Sequence, residues 1–68
     1  MEVVVNGETR EVDPQTSVTQ LVSILNLPAD RIAVELNQKV VRSVDWARTC
    51  LKEGDRLEIV HFVGGGVL

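Results

Sequence analysis

Three consecutive glycines, Gly64-Gly65-Gly66, followed by Val67-Leu68, are the residues of this 68-residue chain best suited to chemistry at a main-chain carboxyl. Glycine has no side chain to bury and the most backbone freedom to lose, so the run reads as a tether rather than as core. A segment without Cβ atoms can thread a narrow channel and present a terminal carboxylate inside another enzyme. A carboxylate is a poor electrophile. Chemistry at such an end would begin with adenylation by ATP, after which sulfur could displace AMP. The plainer alternative for a glycine run is an idle flexible end.

The other reactive side chains form no constellation. Cys50 has no neighbouring His or Lys to lower its pKa and is expected to be a buried or half-buried structural thiol. His61 has no Ser, Cys or paired carboxylate at a usable spacing and reads as a rim or core-edge residue. Neither supports metal binding, so no metal site is expected. Glu53, Asp55 and Glu58 cluster before the tail and are either solvated or available to basic residues of a partner. Trp46 is expected to cover the edge of a small core. With no acid, base, nucleophile or ligand set to assemble, the chain is not expected to be an enzyme.

Composition restricts the partners. The formal charge is −3 and the few basic residues are scattered, which argues against nucleic acid. The apolar fraction of 44% with 25% charged residues fits one globular domain and excludes disorder. A single cysteine excludes an internal disulfide. No apolar stretch approaches a membrane span and Met-Glu-Val begins no leader pattern, so a cytoplasmic setting is the default expectation.

The elements that must position the glycines follow from periodicity. Residues 2 to 12 read as a hairpin turning at Asn6-Gly7. Val18, Leu21, Val22 and Leu25 fall on one helix face, begun by a Ser17/Gln20 capping box and stopped by Asn26-Leu27-Pro28. Ile32, Val34 and Leu36 alternate as a third strand, with Asn37-Gln38 turning into 39–42. Residues 43–53 have no clean period and read as turn with a short helical or bridging piece. Gly54-Asp55 then opens a last strand from Leu57 to Val63. A hairpin, one helix, a second hairpin and a closing strand is the α+β plan of the β-grasp (ubiquitin-like) fold, a mixed four- to five-stranded sheet on one main helix. The domain is expected over 1–63 and the flexible tail over 64–68.

Strand parity connects fold and tail. Leu57 and Ile59 bracket Glu58 as the core pair, which sends Val60 and Phe62 to the opposite, exposed face. Ordering three tail residues costs on the order of 3 to 6 kcal/mol of backbone entropy. Burying Val60 and Phe62 against a partner contributes roughly 1.5 to 3 kcal/mol each. A two-part interface is therefore expected, in which the sheet docks and the tail reaches.

Residues 54 to 66, Gly-Asp-Arg-Leu-Glu-Ile-Val-His-Phe-Val-Gly-Gly-Gly, resemble the C-terminal signature of the sulfur-carrier proteins of thiamine biosynthesis. The Asn6-Gly7 hairpin, the helix from Thr16 to Leu25, the strand Ile32 to Asn37 and the stretch Arg42 to Trp46 are similar more loosely. The resemblance implies a carrier, not a catalyst, with no permanently bound cofactor and with ATP used by its activating partner. It implies that Gly66 carries first the adenylate made by an E1-like enzyme and then a thiocarboxylate with cysteine-derived sulfur, consumed by thiazole synthase. Gly64 and Gly65 would thread the channels, and Val60 and Phe62 would face the partners. The family pattern ends at the glycine, whereas Val67 and Leu68 follow here. A short extension of this kind is removed from related carriers by a metal-dependent protease; the alternative is that the two residues are foreign to the native chain. Two sister readings share the tail: a carrier for molybdenum-cofactor synthesis, and a ubiquitin-like modifier joined to lysine.

Overall fold

The turn and helix-cap signals of the chain have physical counterparts in the structure, a computed structural model that describes residues 1–62. The expected end of the last strand at Val63 and the whole of 64–68 lie outside the described residues. The first hairpin pairs β1 (Glu2–Val5) with β2 (Glu8–Glu11), antiparallel. Its turn places Asn6 at φ 49° and Gly7 at φ 82°, the left-handed pair whose twist matches that of the flanking strands.

Helix α1 (Val18–Ile24) starts as expected, with Ser17 and Gln20 each capping the other's backbone N–H. It ends in a Schellman arrangement. Asn26 is left-handed at φ 59°, its N–H donates to the Ser23 carbonyl, and Leu27 N–H donates to that of Val22. Pro28 then prevents continuation, and a 3-10 turn over Ala29–Arg31 leads into β3 (Ile32–Leu36).

Strand β3 pairs antiparallel with β4 (Lys39–Val41) through a second left-handed turn, Asn37 at φ 51° and Gln38 at φ 71°. The segment without clean period holds the short helical piece expected of it and, in addition, a bridge to a distant part of the chain. A 3-10 helix spans Ser43–Arg48, and an isolated bridge joins Cys50 to Ser17. Around that bridge, Val18 N–H donates to the Thr49 carbonyl and Leu51 N–H to that of Thr16, tying the connector to the start of the helix.

The last strand, β5 (Arg56–His61), enters the middle of the sheet, which has the order β2-β1-β5-β3-β4. It runs parallel to β1 and antiparallel to β3, giving the mixed five-stranded sheet and single main helix of the β-grasp. One face of this sheet is covered. Val3, Val5, Ile32, Val34, Leu57 and Ile59 pack with Val18, Leu21 and Val22 of α1, and Val12, Trp46 and Leu51 close the margins. Trp46 lies at the core edge as expected, and its indole Nε1–H donates to the Val41 carbonyl at 2.9 Å.

Cys50 departs from expectation, because it is exposed rather than buried. At the isolated bridge the neighbouring Leu51 takes the inward place at 3% exposure, and alternation turns the thiol outward.

Candidate functional site

The expected site is the outer face of β5 together with the chain that leaves it. Gly54, at φ +83°, makes the turn into the strand, and its N–H donates to the Glu2 carbonyl at 2.8 Å. Leu57 and Ile59 then point into the core at 1% and 7% exposure, while Glu58 and Val60 point away from the helix. Val60 is 58% exposed, as parity requires.

Phe62 differs from its expected exposure. It lies one residue beyond β5 and is half-buried. The backbone is still tied to the domain there, through Phe62 N–H to the carbonyl of Arg31 in the 3-10 turn at 2.7 Å. Val60 is therefore the more open of the two expected interface residues. Gly64, Gly65, Gly66, Val67 and Leu68 lie outside the described residues.

Register identifies the neighbours of Val60 on the open face. Ala33 is directly opposite it, and in the next row Glu58 faces Glu35, which in turn faces Val40. Val40 is 69% exposed. The open face thus combines small apolar side chains near the tail with two carboxylates placed directly across from one another. Like charges in that position repel, and among the described residues neither Glu35 nor Glu58 forms an ion pair. A cation supplied by a docking partner would relieve that repulsion.

The other two acids of the expected cluster have internal work. Glu53 Oε1 accepts the Glu2 N–H at 2.9 Å, and Asp55 accepts from Lys52 N–H and from Asn37 Nδ2. Only Glu58 remains free to meet a partner, and sequence reasoning did not single out its neighbours Glu35 and Val40. Alternation within residues 32–42 carries the signal for both, once the register between β3, β4 and β5 is known.

His61 is exposed and lines a cleft of ≈ 180 Å³ with Val5, Asn6, Glu8, Arg10, Leu25, Leu27 and Ile59. No nucleophile or carboxylate pair adjoins it there in a catalytic arrangement. Among the described residues, no group of three or more His, Cys, Asp or Glu side chains could hold a metal ion, and no helix is long and apolar enough to cross a membrane.

Comparison with known proteins extends the likeness over nearly the whole chain. The profile of the ThiS family matches residues 3–66. The crystal structure of the thiamine biosynthesis protein ThiS from Geobacter metallireducens superposes with a TM-score of 0.85 at 38% identity, covering 97% of this chain and 100% of that one. Curated relatives include the thiazole synthases of Paramagnetospirillum magneticum, 38% identical over 66 residues, and Magnetococcus marinus, 35% identical over 66 residues. Each alignment takes in 97% of this chain and 20% of the relative, so the chain spans about a fifth of the length of those proteins. By profile, fold and chain coverage together, this chain belongs to the ThiS family and has its β-grasp fold.

Proposed function

We propose that this chain carries sulfur on the carboxyl group of Gly66 and donates it for the formation of thiazole. The observation that carries the reading is that the family match runs through the glycine run and ends at Gly66. In the chain these glycines follow β5, which ends at His61. Once Val67 and Leu68 have been removed by a tail-trimming protease, a Gly66 carboxylate oxygen attacks the α-phosphorus of ATP in an E1-like adenylating enzyme, and pyrophosphate leaves. Sulfide derived from cysteine then attacks the acyl carbon, AMP departs, and a thiocarboxylate remains. Thiazole synthase accepts that sulfur, in keeping with the names of the relatives that contain a matching segment.

The chain itself contributes presentation rather than catalysis. Gly64 and Gly65 pass through channels that a Cβ would block. Val60, with Phe62 beside it, docks on the partner, and the Glu58–Glu35 pair receives a basic side chain. ATP belongs to the activating partner, and no cofactor is held permanently.

Mass spectrometry tests the reading directly. Protein ending at Gly66, incubated with the adenylating enzyme, ATP and a sulfur donor, is expected to gain the mass of one oxygen replaced by one sulfur. Protein retaining Val67-Leu68 is expected to gain nothing. A Gly66-ended protein that never acquires sulfur would overturn the proposal, and accumulation of lysine-linked conjugates in its place would identify a modifier.

A further inference from the structure

Strand β5 outlasts its neighbour. Its odd-numbered residues turn their backbone groups toward β1: Val4 N–H donates to the Asp55 carbonyl and Asn6 N–H to the Leu57 carbonyl, each at 2.9 Å. At Asn6-Gly7, however, the first hairpin turns away. Ile59, the next residue facing that side, has no strand opposite it.

The side chain of Asn6 occupies the place of the missing strand. Ile59 N–H donates to Asn6 Oδ1 at 2.7 Å, and Asn6 Nδ2 donates to the Ile59 carbonyl at 3.1 Å. Among side chains of this length only a carboxamide presents one donor and one acceptor as a peptide unit does. Asparagine also tolerates the left-handed backbone that this turn position requires. On the opposite side, Phe62 N–H reaches the Arg31 carbonyl. The strand is thereby held from both sides just before the chain runs on toward the glycines.

We infer that Asn6 is a positioning residue, whose amide fixes the direction in which β5 delivers the chain to Gly64-Gly65-Gly66. The inference rests on the carrier reading above and specifies how the tail is aimed. Docking through Val60 determines how tightly a partner holds the domain. The aim of the tail determines how often a docked carboxylate lies within reach of ATP. Loss of the Asn6 tie should therefore lower kcat of adenylation while leaving KM for the carrier nearly unchanged.

Asn37 supplies the matched control. It too sits left-handed in a hairpin turn and binds β5, but at the start of the strand, where its Oδ1 accepts the Arg56 N–H at 3.0 Å. N6G and N37G each keep a permissive turn backbone; N6G removes the two bonds to Ile59, and N37G those to Arg56 N–H and the Asp55 carboxylate. In protein ending at Gly66, N6G is expected to reduce kcat of adenylation about tenfold, with KM within about twofold of the parent. It should also lower the NMR order parameters of Val60, His61 and Phe62. N37G is expected to alter neither.

Equal kcat and equal order parameters in the two variants would overturn the inference. Should N6G fail to fold, N6D keeps the acceptor for Ile59 N–H, loses the donor to its carbonyl, and takes its place in the comparison. If the parent protein is never adenylated, the carrier reading fails, and the order parameters alone then decide whether Asn6 holds the end of β5.

Discussion

The two faces of β5 have the same backbone and opposite duties. Leu57 and Ile59, 1% and 7% exposed, meet the helix and belong to the core, whereas Glu58 and Val60 on the reverse face lie open beside Glu35 and Ala33. Alternation lets one strand hold the fold and offer a surface without either role intruding on the other. Changes on the two faces should therefore separate cleanly into failures of folding and failures of delivery.

The largest expected effect is on the inner face. L57A removes a fully buried side chain from the centre of the sheet and should cost about 2 to 5 kcal/mol in urea unfolding. A smaller loss would mean that the inner face is less tightly packed than its burial indicates.

On the outer face, V60E should leave stability within about 0.5 kcal/mol of the parent, as exposed substitutions generally do. It should weaken binding to the adenylating enzyme by roughly ten- to a hundredfold, measured by calorimetry, because about 1.5 to 3 kcal/mol of apolar burial is lost. Unchanged binding would remove Val60 from the interface and break the proposed division of labour.

The smallest expected effect sharpens the division further. E58Q relieves the repulsion between Glu58 and Glu35 and should raise stability by about 0.2 to 1 kcal/mol. The same change should slow association with the partner at low salt and do so less at high salt. Slower association at both salt concentrations alike would mean that Glu58 acts through shape rather than charge.

Much of this arrangement was legible in the sequence because it depends on short-range rules. Ser17 with Gln20, Asn26 before Pro28, and Asn6-Gly7 each announce a local geometry that the structure realises. The parity of Leu57 and Ile59 was enough to place Val60 outside. What remained hidden depends on who lies opposite whom. Neither the Cys50–Ser17 bridge nor the pairing of Glu35 with Glu58 has a local signature, because the partners are distant in the chain. For the same reason Cys50 was expected inside, and Phe62 was expected to be as open as Val60. By type and position Glu53 and Asp55 are as available to a partner as Glu58, but long-range and turn hydrogen bonds to Glu2, Lys52 and Asn37 occupy them. Asn6 showed only its turn preference. Its amide gains a second meaning where β1 ends and β5 continues.

The central position of β5 also sets an order of events in folding. The two hairpins close over short loops, but they become one sheet only when β5 enters between them, bringing Asn6 to Ile59 across 53 positions of chain. Contacts so distant form late, since the loop must close before the pairing can repay its entropy. A chain with both hairpins made and β5 still loose would have no fixed point from which a tail could be aimed. On the carrier reading proposed above, folding would then act as an inspection step, with only a finished domain offering an end fit to be loaded.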